Sequence, residues 1–213
     1  MKYDSIIFDL DGTLWDSSLS CTDGWNVALK RHSEYGYLVT VSDIKGVMGM
    51  SLDEIELKLL GFISDKETRH NLRLECGRTE MEYIREHGGN LFDGLEETLK
   101  KLSEKYKLFI VSNCENGYIE AFHYYHKLDK YFTDYEYWER TGLTKAENIK
   151  LIIERHNLKS AVYVGDTSGD AKAAYGAGIP FIHAAYGFGK VDTEKLASIN
   201  SITELPDVLD ACR

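Results

Sequence analysis

Five residues near the start of the chain, Ser5-Ile6-Ile7-Phe8-Asp9, do most to limit what it can fold into. The run is short, apolar and rich in β-branched residues, as a strand buried on both faces should be, and it is closed by the polar Asp11-Gly12-Thr13. Residues 107–112 and 161–165 repeat the pattern, 179–183 gives a fourth candidate strand, and Tyr131-Phe132-Thr133 a weaker one. Helical patterns separate them. Residues 95–102 carry apolar side chains at helical spacing, and Thr144 opens a capping box with Glu147 ahead of Ile149, Ile152 and Ile153 on one stripe. Strands alternating with helices predict an α/β fold built on a doubly wound parallel sheet.

About ninety residues between the first and second strands contain no convincing strand. Asp16 or Ser17 is placed to cap a helix running through Trp25 and Leu29, while Ser51 with Glu54 and Ser64 with Glu67 form further capping boxes. An unstructured loop of that length is improbable in a compact chain. The expectation is an all-helical inserted domain over residues 15–88, with the sheet domain formed from 1–14 and 89–213.

Charge narrows the partners. With 25 basic and 35 acidic residues the formal charge is −10, and Lys100-Lys101 is the longest basic run. No nucleic acid is expected, because phosphate neutralisation dominates that kind of affinity. An acidic chain can still hold a small phosphorylated metabolite where a metal ion inverts the local field. The apolar runs are too short to cross a bilayer, and Met1-Lys2-Tyr3-Asp4 does not open a secretory signal, so no membrane partner and a cytoplasmic location are expected. Cys21, Cys76, Cys114 and Cys212 lack the short paired spacing of a zinc or redox motif. Oligomeric state is not legible.

The strongly polar residues fall at strand ends. Asp9 and Asp11 end the first strand two residues apart, Ser112-Asn113 ends the second, Lys145 opens a helix, and Asp166 and Asp170 follow the last clear strand on a first helical turn. In a doubly wound sheet such ends gather on the edge where ligands bind. Carboxylates crowded there need a cation, and an oxygen-only donor set selects a hard one such as Mg2+. Asp9 could then attack phosphorus to form an aspartyl-phosphate, with Asp11 protonating the leaving alcohol and later activating water. Ser112 and the backbone N–H groups of Leu10, Gly12 and Asn113 could hold phosphoryl oxygens, and Lys145 could serve those oxygens or the aspartates. Trp15 reads as a packing residue where the insertion begins, and Tyr186-Gly187-Phe188-Gly189 as loop geometry, since it fits no dinucleotide fingerprint.

Phe8-Asp9-Leu10-Asp11-Gly12-Thr13-Leu14-Trp15-Asp16-Ser17 resembles the first motif of the haloacid dehalogenase superfamily. Ile110-Val111-Ser112-Asn113, Lys145 and Gly165-Asp166-Thr167-Ser168-Gly169-Asp170 resemble the later motifs in order and spacing. The resemblance implies a Rossmann-like core with Asp9 as nucleophile and metal ligand, and Asp11 as acid/base and ligand through its carbonyl. Asp166 would be the third protein ligand, and Asp170 would support the site or face Lys145. The insertion is similar to the helical cap of the phosphoglycolate phosphatase and β-phosphoglucomutase group, which implies a small phosphomonoester substrate, phosphoglycolate-like at the family level. Here Lys145-Ala146 stands where many relatives have Lys-Pro, and Asp93-Gly94 where many have Pro-Gly. The loop Lys45-Gly46-Val47-Met48-Gly49-Met50-Ser51 lies where relatives place specificity residues and has no arginine for a second phosphate. Hydrolysis is therefore favoured over a phosphosugar mutase, and both over a non-catalytic phospho-aspartate signalling or binding protein.

Overall fold

The computed structural model describes residues 2–212. Its main sheet has six parallel strands in the order β5-β4-β1-β6-β7-β8, namely β1 (Ser5–Phe8), β4 (Lys107–Ser112), β5 (Asp134–Tyr137), β6 (Ala161–Gly165), β7 (Phe181–Ala184) and β8 (Ala197–Ile199). This is the α/β, doubly wound architecture expected from the sequence. Two short strands, β2 (Trp15–Asp16) and β3 (Asn90–Leu91), form a separate sheet. The helices are α1 (Ser18–Arg31), α2 (Val41–Lys45), α3 (Leu52–Leu60), α4 (Lys66–His87), α5 (Leu95–Ser103), α6 (Tyr118–His126), α7 (Trp138–Thr141), α8 (Lys145–His156), α9 (Ser168–Gly176) and α10 (Leu205–Ala211).

Alternation along the central strands divides the core. Ile7, Phe109, Val111 and Tyr163 meet Ile149 and Ile152 of α8 and Ala171 and Ala174 of α9 in one buried cluster. Each fully buried Ile or Phe there contributes about 1.5–3 kcal/mol relative to exposure. β1 lies between β4 and β6, pairing Phe8 with Ile110 on one side and Val164 on the other. The strand order reverses across this central position, which creates the crevice used by ligands in sheets of this kind.

The chain divides into two compact units. The first comprises residues 1–16, 91–116 and 128–213 and contains the six-stranded sheet; the second comprises 17–90 and 117–127 and is helical. Residues 117–127 thus group with the inserted helices, whereas the sequence pattern had left them with the sheet. The reason is packing: α6 buries Tyr118, Ile119 and Phe122 and lies against α4. The Tyr118 hydroxyl also donates to Ser17 Oγ at 2.8 Å.

Local signals in the helical unit held in part: α1 does begin after Ser17, but Ser17 makes no side-chain cap hydrogen bond. Ser51 and Glu54 form a reciprocal capping box at α3, but α4 is capped by Asp65, whose carboxylate accepts the Thr68 N–H, rather than by Ser64. Lys58 Nζ donates to the Gly46 carbonyl at 2.6 Å and so pins the loop after α2. Among the described residues no helix is long and apolar enough to cross a membrane.

Candidate active site

Parallel strands that end together bring distant residues to one edge. Asp9 follows β1 directly; its N–H donates to the Val164 carbonyl at 2.8 Å, and the residue is only 3% exposed. Ser112 closes β4 and is buried, with half-buried Asn113 after it. Asp166 follows β6 immediately and is fully buried in the turn before α9, not on the helix as its spacing suggested. Asp170 does lie in the first turn of α9.

Lys145 is the first residue of α8, whose start is fixed by the Thr144–Glu147 capping box. A lysine at a helix N-terminus opposes the dipole. Here its side chain is buried, and Nζ donates to Asp9 Oδ1 at 2.8 Å and Asp170 Oδ1 at 2.6 Å. The other oxygen of Asp170 accepts the Thr167 N–H at 2.9 Å and the Thr167 hydroxyl at 2.7 Å. Both Asp170 oxygens are thereby engaged. Below them the buried Tyr163 hydroxyl donates to the Val111 carbonyl at 2.8 Å.

Asp166 is held by a loop that sequence reading treated as geometry alone. Its Oδ2 accepts the N–H groups of Phe188 at 2.7 Å and Gly189 at 3.1 Å. The Tyr186 hydroxyl fixes the same loop by donating to the Thr13 carbonyl at 2.8 Å. A Cβ at Gly187 would strike the side chain of Asp166 and the carbonyl of Gly12. Gly12 adopts φ +76°, and a Cβ there would meet the Asp166 carboxylate. The Gly12 N–H, expected to face a phosphoryl oxygen, donates instead to the Trp15 carbonyl at 2.9 Å, so the position supplies space and a turn. Backbone donors leave no mark in side-chain identity; the spacing of Gly187 and Gly189 was the only signal of this clamp.

Asp11 is half-buried, and its Oδ1 accepts the indole N–H of Trp15 at 2.9 Å. The loop carrying Asn113 is braced from β5 and α7. There the Tyr137 hydroxyl donates to Asn116 Oδ1 at 2.6 Å, and Glu139 Oε2 accepts the Asn116 N–H at 2.6 Å.

The electrostatics are unbalanced towards negative charge. Burial pushes Asp9 well above the carboxylate range; Asp170 and Asp166 add to the effect and Lys145 opposes it. Burial, then the charge of Asp170, raises Asp166 to about 7 against the N–H groups of Phe188 and Gly189 and the ammonium of Lys145. For Lys145, burial works to discharge the amine, but Asp170 and Asp9 outweigh it and hold the proton firmly. Carboxylate oxygens of Asp9, Asp166 and Asp170 lie within 4.8 Å of one another. Asp166 Oδ1 is buried without a hydrogen-bond partner. An orphaned acceptor in that setting is costly unless a cation meets it, and an all-oxygen group fits a hard divalent ion. Of the three, Asp9 and Asp166 could hold it, since both oxygens of Asp170 are already engaged.

A pH dependence follows for protein kept in EDTA. Asp166 has an unfolded value of 3.8 and a folded value of about 7, so between these the folded state binds more protons and stability should fall as pH rises. The loss should be on the order of a few kcal/mol. Urea denaturation from pH 4 to pH 7.5 should show this slope, magnesium should flatten it, and Asp166→Asn should weaken it. A profile in EDTA that Asp166→Asn leaves unchanged would contradict the assignment.

Residues 6–184 match the family model for haloacid dehalogenase-like hydrolases. The fold is similar to that of a predicted phosphatase from Clostridium acetobutylicum, at 25% identity and TM-score 0.80, covering 99% of this chain and 100% of that one. It is also similar to a haloacid dehalogenase-like family hydrolase from Streptococcus pneumoniae, at 23% identity and TM-score 0.81 over 98% of this chain and 99% of that one. A predicted phosphoglycolate phosphatase from Haemophilus somnus shares the fold at 18% identity and TM-score 0.83, over 98% and 99% of the two chains. No curated protein gives a significant match. The family match spans most of the sequence and all of the carboxylate edge described above; the chain belongs to the haloacid dehalogenase-like hydrolases.

Proposed function

We propose that this protein is a magnesium-dependent phosphatase that hydrolyses a small phosphomonoester through an aspartyl-phosphate on Asp9. The observation that carries the reading is the orphaned Asp166 Oδ1 beside Asp9, in a buried site where one ammonium faces three carboxylates. Asp9, the carbonyl of Asp11 and Asp166 would hold the ion, which when bound supplies charge neutralisation for the phosphoryl oxygens.

Lys145 holds Asp9 Oδ1 in place, which leaves the second oxygen of Asp9 as the attacking atom. As the new O–P bond forms, the ester P–O bond breaks and Asp11 gives its proton to the departing alkoxide. The same carboxylate then takes a proton from water, whose oxygen attacks phosphorus and breaks the Asp9–phosphorus bond. Inorganic phosphate leaves, and Asp9 and Asp11 return to their starting states. Ser112 and the Asn113 N–H would hold phosphoryl oxygens, and Asp170 would fix Lys145. The geometry developing at phosphorus is loose and highly charged, so alignment by such groups carries most of the acceleration.

A panel of phosphorylated small metabolites, phosphoglycolate and sugar monophosphates among them, tests this by phosphate release. Release with magnesium is expected, with loss in EDTA and recovery when magnesium is restored. Absence of release across the panel would overturn the reading, and a positional isomer formed without release would make the protein a mutase.

A further inference from the structure

We infer that Trp15 is a positioning residue for Asp11, orienting its carboxyl group so that the oxygen away from the indole faces the leaving group. This rests on the phosphatase reading above and adds to it a residue that the packing role does not explain.

Trp15 is fully buried, and its indole N–H reaches Asp11 Oδ1 at 2.9 Å. The backbones are coupled as well: the pair forms an isolated β-bridge, and the Trp15 carbonyl accepts the Gly12 N–H. An indole nitrogen only donates. Oδ1 of Asp11 is therefore the acceptor in this contact, and because the carbonyl oxygen of a carboxylic acid accepts better than its hydroxyl oxygen, the acid hydrogen is favoured on Oδ2. A buried ring braced by two backbone contacts also restrains the carboxyl plane. An aspartate without such a donor could place its proton on either oxygen, and only one of the two arrangements suits transfer to a leaving group. General acid catalysis depends on that geometry, and a misplacement of an ångström can cost about 100-fold.

The inference separates leaving groups. Expulsion of an alkoxide needs the proton from Asp11, whereas p-nitrophenolate departs without one. Trp15→Phe keeps an aromatic side chain and removes the donor. Replacing Trp15 by its benzothienyl isostere, in which sulfur stands for N–H, keeps the shape almost unchanged and serves if the smaller ring disturbs folding. In either variant kcat/KM for an alkyl phosphomonoester should fall about 10- to 30-fold, while that for p-nitrophenyl phosphate changes less than about 3-fold. A purely structural role would lower both equally. Equal loss, or no loss, in the isostere variant would overturn the inference while wild-type turnover left the phosphatase reading standing. Failure of the wild type to hydrolyse either ester would remove both.

Discussion

Asp9→Asn should abolish turnover while leaving the protein folded. The amide keeps an oxygen to accept the hydrogen bond from Lys145 Nζ, so the 2.8 Å contact survives, but it is no longer a competent nucleophile. Loss of an attacking group that acts together with its partners typically costs about four orders of magnitude or more. Because burial and two neighbouring carboxylates already disfavour the ionised form of Asp9, removing its charge should not weaken the metal-free fold. Phosphate release should drop to background, and mass spectrometry of protein quenched during turnover should show a phosphoryl adduct in the wild type and none in the variant. Near-normal release by the variant would mean that another atom attacks phosphorus.

Lys145→Met should produce the largest loss of stability. The ammonium is 7% exposed and bridges Asp9 and Asp170, both buried. Methionine replaces the aliphatic stem, leaving the carboxylates without their cation. Breaking a buried pair from one side costs about 3–5 kcal/mol, because the surviving charge stays desolvated. Urea denaturation in EDTA at pH 7.5 should show this deficit. It should narrow near pH 5, where Asp9, held by burial well above the usual carboxylate range, takes up a proton more readily, and adding Asp170→Asn should recover part of it. A variant as stable as the wild type in EDTA would show that the lysine does not neutralise the cluster.

Legibility in the sequence followed burial. Residues 107–112 and 161–165 coincide with β4 and β6, because a strand covered on both faces is written as an unbroken apolar run. The edge strand was misplaced. Tyr131 belongs to a short 3-10 turn, and β5 begins at Asp134. Its sequence, Asp-Tyr-Glu-Tyr, hides its nature, since the buried Glu136 is satisfied by Arg140 and Arg155 from α7 and α8 rather than by apolar neighbours. β8 is only three residues long, too short for its periodicity to stand out. At the candidate site, Asp9, Lys145, Asp166 and Asp170 could be grouped beforehand because each stands at the end of a strand or the start of a helix. The clamp on Asp166 could not, since its donors are the backbone N–H groups of Phe188 and Gly189. Nor did any pattern announce that Trp15, read from the sequence as a packing residue, would spend its one polar atom on Asp11.

Asp170 answers to two masters. One oxygen completes the capping box that starts α9, and the other steadies Lys145. Fraying of that helix end would therefore also let go of the lysine, so the helix cannot loosen without disarming the charges beside it. Hydrogen exchange at the first turn of α9 should accordingly slow or quicken in step with the integrity of the carboxylate cluster, one local melting event reporting on the other.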